Sequence, residues 1–277
     1  MNTSFVFFGS YRFAYIVLSD LLSSGFIPSA IVCSSDKLIG RKQILTPPPV
    51  KELALQYRIP LLQPVKKPHP SDIESLGIDA SFAIVAAYAQ LIPIETLALF
   101  PRGVIGVHPS LLPLYRGASP IQTALLNRIP TTGISLYKMD AEMDHGPLLV
   151  QEDVPIHQQD TYLSLEGTLA HRGALLLTRT IPLWLDDALV LKEQDHTCAT
   201  YTQKFVTEDG KVNLQDDIPD SIARKIRALS HDPGVFTFIN NKRVKLLEVK
   251  DIPEGYMITK IIPEGRKEQE ARIILRK

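Results

Sequence analysis

The sequence has few of the residues that mark secreted, membrane or metal-binding proteins. It contains two cysteines among 277 residues, Cys33 and Cys198, which are too few for a disulfide framework. It has no signal-peptide pattern, no apolar run of transmembrane length and no Cys/His cluster at the spacing of a metal site. We therefore expect a reduced, cytoplasmic protein that binds neither a metal nor a membrane.

The chain also lacks an excess of charge of either sign. Lys and Arg together number 30, and Asp and Glu together number 30, so the formal net charge is zero. A global positive field is therefore not available to attract nucleic acid. Any contact with nucleic acid has to come from a local basic patch.

What the sequence does contain is enough apolar residues for a substantial core, because 45% of the chain is hydrophobic. This content and the length fit one large domain or two unequal domains. Residues 4–8 form a strand pattern that ends at a Gly-Ser turn, and an amphipathic helix and a second strand follow. The pattern is typical of a Rossmann-like α/β domain. The dinucleotide fingerprint G-x-G-x-x-G is missing, so no dinucleotide site is predicted.

The clearest chemical signal lies in residues 103–117, GVIGVHPSLLPLYRG. Apolar residues predict a buried parallel strand that ends at His108, and prolines bracket the loop after it. Asp144 lies in a glycine-containing turn of the later segment MDAEMDHGPLL, where its carboxylate can fold back onto His108. Ligands bind to open α/β sheets at the carboxyl ends of strands. A histidine paired with an aspartate there is typical of acid–base catalysis and oxyanion stabilisation.

The two segments HPSLLPLYRGASPIQ and TGISLYKMDAEMDHGPLL resemble the signature of the folate-dependent formyltransferases. The resemblance covers nearly the whole chain through FFGSYRFA, GRKQILTPPPVKELA, VAAYAQLIP and TQKFVTEDGKVNL, which are similar to family members that act on methionyl-tRNA. It implies an α/β fold: a Rossmann-like formyltransferase domain with a mostly parallel sheet, followed by a small C-terminal OB-like β-barrel. It also implies transfer of a formyl group from the co-substrate 10-formyltetrahydrofolate to the α-amino group of methionyl-initiator tRNA.

Helical periodicity fades into polar residues near the end of the implied catalytic domain. We therefore predict a formyltransferase domain over residues 1–188, a linker over 189–205 and an OB-like tRNA-binding domain over 206–277. We expect the protein to be a monomer.

The resemblance also implies the roles of individual residues. His108 and Asp144 would be catalytic, and Gly106 occupies a third catalytic position. The loop after the central strand and the corner after an earlier strand would hold the folate through Ser110, Leu111, Leu112, Pro113, Tyr88 and Gln90. Residues 34–51 are basic, interrupted by glycine and closed by three prolines, and we call them the early basic loop. This loop and the C-terminal domain would contact tRNA through Lys37, Arg41, Lys42, Lys242, Arg243 and Lys245. Without the resemblance, Tyr88 and Gln90 also fit an ordinary turn with a packed tyrosine. The basic residues also fit a solvated surface.

One position departs from the family pattern INxHxSLLP, whose asparagine donates a hydrogen bond to the formyl oxygen. Gly106 stands in its place, two residues before His108. Loss of one oxyanion donor typically costs about 10²- to 10³-fold in turnover. The sequence leaves open whether a water molecule or a backbone N–H fills the vacant space. If neither does, we expect Gly106→Asn to raise turnover, provided the strand end has room for the side chain. If one of them does, we expect little gain or a loss.

Two other functions stay open at this point. The first is a tRNA- or folate-binding homologue that has lost catalysis, which Gly106 motivates and which a single-turnover assay would identify. The second is a formyltransferase for a small amine, such as an amino sugar or glycinamide ribonucleotide. The early basic loop and the C-terminal extension argue against the second, because a small acceptor needs neither.

Overall fold

The computed structural model describes residues 4–39, 42–88 and 90–276. Arg41, a predicted tRNA contact, lies outside the described residues. The strands are β1 (Phe5–Gly9), β2 (Ala30–Val32), β3 (Lys37–Ile39), β4 (Ile44–Thr46), β5 (Leu61–Leu62), β6 (Phe82–Ala86), β7 (Val104–His108), β8 (Arg116–Gly117), β9 (Thr131–Lys138), β10 (Leu148–Pro155), β11 (Tyr201–Thr202), β12 (Val235–Ile239), β13 (Lys242–Ile252), β14 (Gly255–Pro263) and β15 (Gln269–Arg276). The helices are α1 (Arg12–Ser23), α2 (Pro49–Tyr57), α3 (Pro70–Glu74), α4 (Ile94–Leu97), α5 (Pro120–Asn127), α6 (Tyr162–Leu185) and α7 (Pro219–Leu229).

A seven-stranded sheet in the order β10-β9-β7-β6-β1-β2-β5 forms the centre of the α/β part. The five strands β5, β2, β1, β6 and β7, which are neighbours in this order across the sheet, run parallel. Strand β9 pairs antiparallel with β7. Strands β1 and β7 are buried along their whole length, as expected for parallel strands covered on both faces. The predicted mostly parallel sheet with a mixed edge is therefore confirmed.

One local prediction differs from the structure. The segment predicted as an early basic loop contains an antiparallel hairpin of β3 and β4, in which Lys37 lies opposite Thr46.

Helix α3 begins at Pro70, and His69 is its N-cap. The Nδ1 atom of His69 accepts from the Ser71 N–H, and the Asp72 carboxylate accepts from the His69 N–H. These two bonds form a capping box.

The chain divides into two compact units, and each is described by itself. Unit 1 comprises residues 1–116, 133–154 and 167–200 and holds most of the central sheet. Unit 2 comprises residues 117–132, 155–166 and 201–277. The predicted domain boundaries at 188 and 205 follow the chain rather than these units and stay predictions.

The C-terminal part of unit 2 is a four-stranded antiparallel sheet in the order β12-β13-β14-β15. Asn240 and Asn241 make the tight turn between its first two strands, both at positive φ (51° and 60°), a conformation that asparagine tolerates well. Helix α7 buries its apolar side in the same unit. The predicted C-terminal β part of the fold is confirmed. Within the described ranges, no helix is long and apolar enough to cross a bilayer.

Candidate active site

His108 is the last residue of β7, and its side chain is almost completely buried. Its Nε2 atom lies 2.9 Å from the carbonyl oxygen of Tyr115. Tyr115 adopts a positive φ of 58°, which turns the loop back toward the ring. Because a carbonyl can only accept, Nε2 carries a proton. Nδ1 is therefore the ring nitrogen that is left to face a second partner.

Asp144 faces that nitrogen, with Oδ2 at 3.6 Å from the Nδ1 of His108. The residue adopts a positive φ of 53°, which aspartate tolerates in tight turns. Two residues on, a Cβ at Gly146 would lie 1.9 Å from the carbonyl oxygen of Lys138. Only glycine allows this close backbone approach. The predicted pairing of His108 with Asp144 is therefore present in the geometry.

Tyr137 is a third member of this cluster. It lies within the segment TGISLYKMDAEMDHGPLL, but the sequence predicted no role for it. It lies opposite Gly106 in the antiparallel pairing of β7 with β9. Its hydroxyl donates to the Oδ1 of Asp144 at 2.8 Å. Burial, together with the charge of Asp144 and the bond to it, raises the pKa of Tyr137 well above its ordinary value. The phenol therefore stays protonated and remains a donor.

Tyr137 also fills the space next to Gly106. A Cβ at Gly106 would lie 2.3 Å from Cε1, 2.5 Å from Cζ and 2.9 Å from the hydroxyl oxygen of Tyr137. The hydroxyl end of the Tyr137 ring therefore occupies the space that the sequence left open to a water molecule or a backbone N–H. The condition set for a gain from Gly106→Asn is not met, since the strand leaves no room for the side chain.

The turn that carries Asp144 is held by Gln194, fifty residues further along the chain. Its Nε2 donates to the carbonyl oxygens of Asp144 at 3.0 Å and of Gly146 at 2.7 Å. Its Oε1 accepts from the Nη2 of the buried Arg116 at 2.7 Å. The same Nη2 lies 2.9 Å from the Nδ1 of His196, which must accept because arginine only donates. Of Gln194, Arg116 and His196, only Arg116 stood in a recognisable motif.

The loop predicted to bind the folate is held in place by hydrogen bonds between side chains and its backbone. Ser110 is fully buried, and its Oγ donates to the carbonyl of Leu114 at 2.6 Å. The Leu112 N–H donates to the Oγ of Ser135 at 3.0 Å, and the Leu112 carbonyl accepts from the Nε2 of Gln151 at 2.8 Å. The single backbone donor of Leu112 is therefore already used. Leu111 and Pro113 are half-buried, so their side chains can line a pocket.

Tyr88 and Gln90 follow β6, and β6 lies beside β7 with Ala86 opposite Val107. Both residues therefore lie at the same edge of the sheet as His108. The Tyr88 ring packs edge-on against Phe8 at 5.6 Å, and burial raises its pKa far above the ordinary value. Among the described residues, neither the Tyr88 hydroxyl nor the Gln90 Oε1 has a hydrogen-bond partner, although both atoms are buried. Buried polar atoms of this kind need a partner, and a polar heterocycle would supply one.

The predicted tRNA contacts lie on two separate surfaces. Lys37 and Lys42 are exposed on the hairpin of β3 and β4. In the C-terminal sheet, Lys242 and Lys245 are exposed. The guanidinium of Arg243 instead lies 3.7 Å from the ring centroid of Phe236, a distance typical of a cation–π contact. All of these assignments stay predictions.

A mostly parallel sheet with a buried histidine and a partly buried aspartate at its carboxyl edge is typical of acid–base catalysts of the α/β class. No group of three or more His, Cys, Asp or Glu side chains in the described part of the chain could hold a metal ion. Residues 4–181 match the family model described as formyl transferase, and residues 204–274 match the model for the formyl transferase C-terminal domain. The chain therefore belongs to the formyl transferase family.

Relatives identified by sequence carry the name methionyl-tRNA formyltransferase. Methionyl-tRNA formyltransferase of Syntrophus aciditrophicus is 36% identical over 253 residues, which cover 91% of this chain and 81% of the relative. The structure of methionyl-tRNA formyltransferase from Clostridium thermocellum has a TM-score of 0.63 at 16% identity, with 98% of this chain and 99% of that chain covered. An N-formyltransferase of Helicobacter canadensis, in complex with folinic acid and dTDP-3-aminofucose, has a TM-score of 0.63 at 19% identity over 99% of this chain and 100% of that chain. The two structures share the fold.

Proposed function

We propose that this chain transfers a formyl group from 10-formyltetrahydrofolate to the α-amino group of methionyl-initiator tRNA, as a cytoplasmic monomer. The observation that carries the proposal is the His108–Asp144 pair at the carboxyl edge of the sheet, with Nδ1 and Oδ2 at 3.6 Å. The relative from Syntrophus aciditrophicus, which bears the name of this activity, supports the choice of acceptor.

The reaction needs a group that polarises the formyl carbonyl and a group that moves a proton. The folate, when bound, supplies the formyl group and the nitrogen that leaves. His108, doubly protonated, holds one proton on the Tyr115 carbonyl and directs the other at the formyl oxygen, where negative charge develops. Asp144 accepts the proton that the amine loses and returns it to the leaving nitrogen, so the proton count is balanced.

Residues around this pair have the properties that a folate site needs. The buried Tyr88 hydroxyl and Gln90 Oε1, which have no partner among the described residues, would bond the polar edge of the folate ring. Leu111 and Pro113 would pack against its face, while Ser110 and Leu112 keep the loop in place through their internal bonds. This division refines the predicted folate contacts by separating groups that touch the ligand from groups that support them.

The acceptor would be held mainly through its phosphates. Lys37, Arg41 and Lys42 would meet one end of the tRNA, and Lys242, Arg243 and Lys245 would add contacts from the C-terminal domain. Because the net charge of the chain is zero, these local groups have to supply the attraction. Phosphate contacts position a nucleic acid and carry little sequence information.

The decisive experiment is incubation of the protein with methionyl-tRNA and 10-formyltetrahydrofolate, followed by mass detection of formyl-methionine. Parallel reactions contain dTDP-3-aminofucose or glycinamide ribonucleotide as the acceptor. We expect formyl-methionine from the wild-type protein, no product with the small acceptors, and a loss of at least about 10²-fold in His108→Ala.

Formylation of a small acceptor with none of the tRNA would overturn the proposal. Binding of both substrates without turnover would favour a homologue that has lost catalysis. The structure weakens the argument for a homologue without catalysis, because the space beside Gly106 holds a buried hydroxyl.

A further inference from the structure

Gly106 and Tyr137 lie opposite each other on paired strands. The ring of Tyr137 fills the space that a side chain at position 106 would need. The three atoms nearest to a Cβ at Gly106 all belong to the hydroxyl end of the tyrosine ring. In the resembling family an asparagine at the position of Gly106 donates a hydrogen bond to the formyl oxygen. Its side chain and the ring of Tyr137 would occupy the same space, so the chain can carry one of them at a time.

The hydroxyl of Tyr137 lies beside the pair of His108 and Asp144. It bonds Oδ1 of Asp144 at 2.8 Å, while Oδ2 of the same carboxylate faces Nδ1 of His108 at 3.6 Å. The three side chains therefore surround one small region at the end of β7. Tyr137 is itself 4% exposed, and a donor in a buried, water-poor place stabilises a developing charge more than a solvated donor does.

We propose that the Tyr137 hydroxyl replaces the missing asparagine as the second hydrogen-bond donor to the formyl oxygen. This inference rests on the proposed function. In the free protein the hydroxyl proton is directed at Asp144. A phenolic O–H rotates about the Cζ–O bond, so in the complex it turns from Asp144 to the formyl oxygen. The Asp144 carboxylate then accepts the proton of the amine. The donor group thus comes from β9 instead of β7.

The first test is Tyr137→Phe, which removes the hydroxyl and keeps the ring that packs against Gly106. We expect the single-turnover rate to fall by about 10²- to 10³-fold, with little change in the Kd of the folate. The matched control is Tyr162→Phe, which deletes a phenol-to-carboxylate bond to Glu166 of 3.0 Å at the first residue of α6. The control should keep the wild-type rate.

A second test exchanges the two donors. In Tyr137→Leu the hydroxyl is lost and space opens beside residue 106, so we expect a rate at least as low as that of Tyr137→Phe. In Gly106→Asn/Tyr137→Leu the asparagine has room, and the rate should rise at least about 10-fold above that of Tyr137→Leu. Circular dichroism melts of all variants identify any that do not fold. A merely structural role of Tyr137 predicts no loss in Tyr137→Phe and no rescue in the double variant, and either result would overturn the inference.

A spectroscopic test separates this inference from the proposed function, because it needs no acceptor. The probe is 10-formyltetrahydrofolate with ¹³C in the formyl group, bound to the protein and read by isotope-edited infrared difference spectra. A hydrogen bond from Tyr137 weakens the carbonyl bond, so the stretch should lie at a lower frequency in the wild type than in Tyr137→Phe. An equal frequency would refute the donor role even if methionyl-tRNA is formylated. A shifted frequency in a protein that does not formylate methionyl-tRNA would support the donor role of Tyr137 and reject methionyl-tRNA as the acceptor. Failure to bind the probe would reject both the donor role and the proposed function.

Discussion

At the scale of single residues, one carboxylate organises the site. Asp144 accepts from Tyr137 with one oxygen and faces His108 with the other, and its backbone carbonyl accepts from Gln194. The sequence pointed to His108 and Asp144 because both lie in segments that resemble the formyltransferase signature. It did not identify Tyr137 or Gln194, because tyrosine in a strand and glutamine in a polar segment are common everywhere.

The variant Asp144→Asn tests the central carboxylate with almost no change of shape. The amide still accepts from Tyr137, but it carries no charge to favour a protonated His108 and takes no proton from the amine. We expect the single-turnover rate of formyl-methionyl-tRNA formation to fall by about 10²- to 10⁴-fold with unchanged folate binding. Glu142→Gln, at a largely exposed carboxylate of the same turn, should retain the wild-type rate. Wild-type turnover in Asp144→Asn would exclude the proposed proton transfer.

At the scale of elements, Asp220 links three pieces of unit 2. It lies at the start of α7, pairs with Arg128 after α5 at 2.6 Å and accepts from the Tyr256 hydroxyl of β14 at 2.6 Å. Arg224, one turn along α7, lies 3.1 Å from its second oxygen. Burial alone would raise the pKa of Asp220, but the bond from Tyr256 and the two arginines hold it below the ordinary 3.8.

This arrangement predicts a stability difference that depends on pH. A carboxylate with a lowered pKa stabilises the folded state above the unfolded-state pKa and loses that effect as pH falls through the folded-state value. We expect Asp220→Asn to lower the free energy of unfolding by about 1 to 2 kcal/mol near pH 7, since these bonds are partly exposed to solvent. The gap to the wild type should close below pH 3.8.

Urea denaturation followed by circular dichroism from pH 7 down to pH 3 measures this gap. Asp216→Asn, at an exposed aspartate of the same unit, provides the matched control and should show a smaller gap at every pH. A gap in Asp220→Asn that stays constant down to pH 3 would mean that packing, rather than the charge, carries the effect.

At the scale of the whole molecule, a net charge of zero requires the acceptor to be attracted by local basic groups. In Arg41→Ala/Lys42→Ala we expect weaker tRNA binding and a shallower dependence of log Kd on log salt, by about 0.7 to 0.9 per lost phosphate contact. The Kd of the folate should not change, because its predicted contacts lie at the edge of the central sheet.

The matched control for this pair is Lys66→Ala/Lys67→Ala, which removes two adjacent exposed lysines of the same unit. It should leave the salt slope as in the wild type. An equal loss of slope in both double variants would indicate diffuse attraction. An unchanged slope in Arg41→Ala/Lys42→Ala would show that the early basic loop is an ordinary solvated surface and does not contact tRNA phosphates.

The sequence by itself determined the parallel sheet, the place of His108 at a strand end and the turn that carries Asp144. Each of these follows from local patterns: buried strands need runs of apolar residues, and tight turns need glycine or aspartate. It also determined the family, through motifs that span the chain. Only the tertiary structure decided what lies beside Gly106, because Tyr137 reaches it by pairing across two strands that are thirty residues apart. The same holds for Gln194, whose bonds join segments about fifty residues apart, since no local pattern records which distant side chain will satisfy a buried carbonyl.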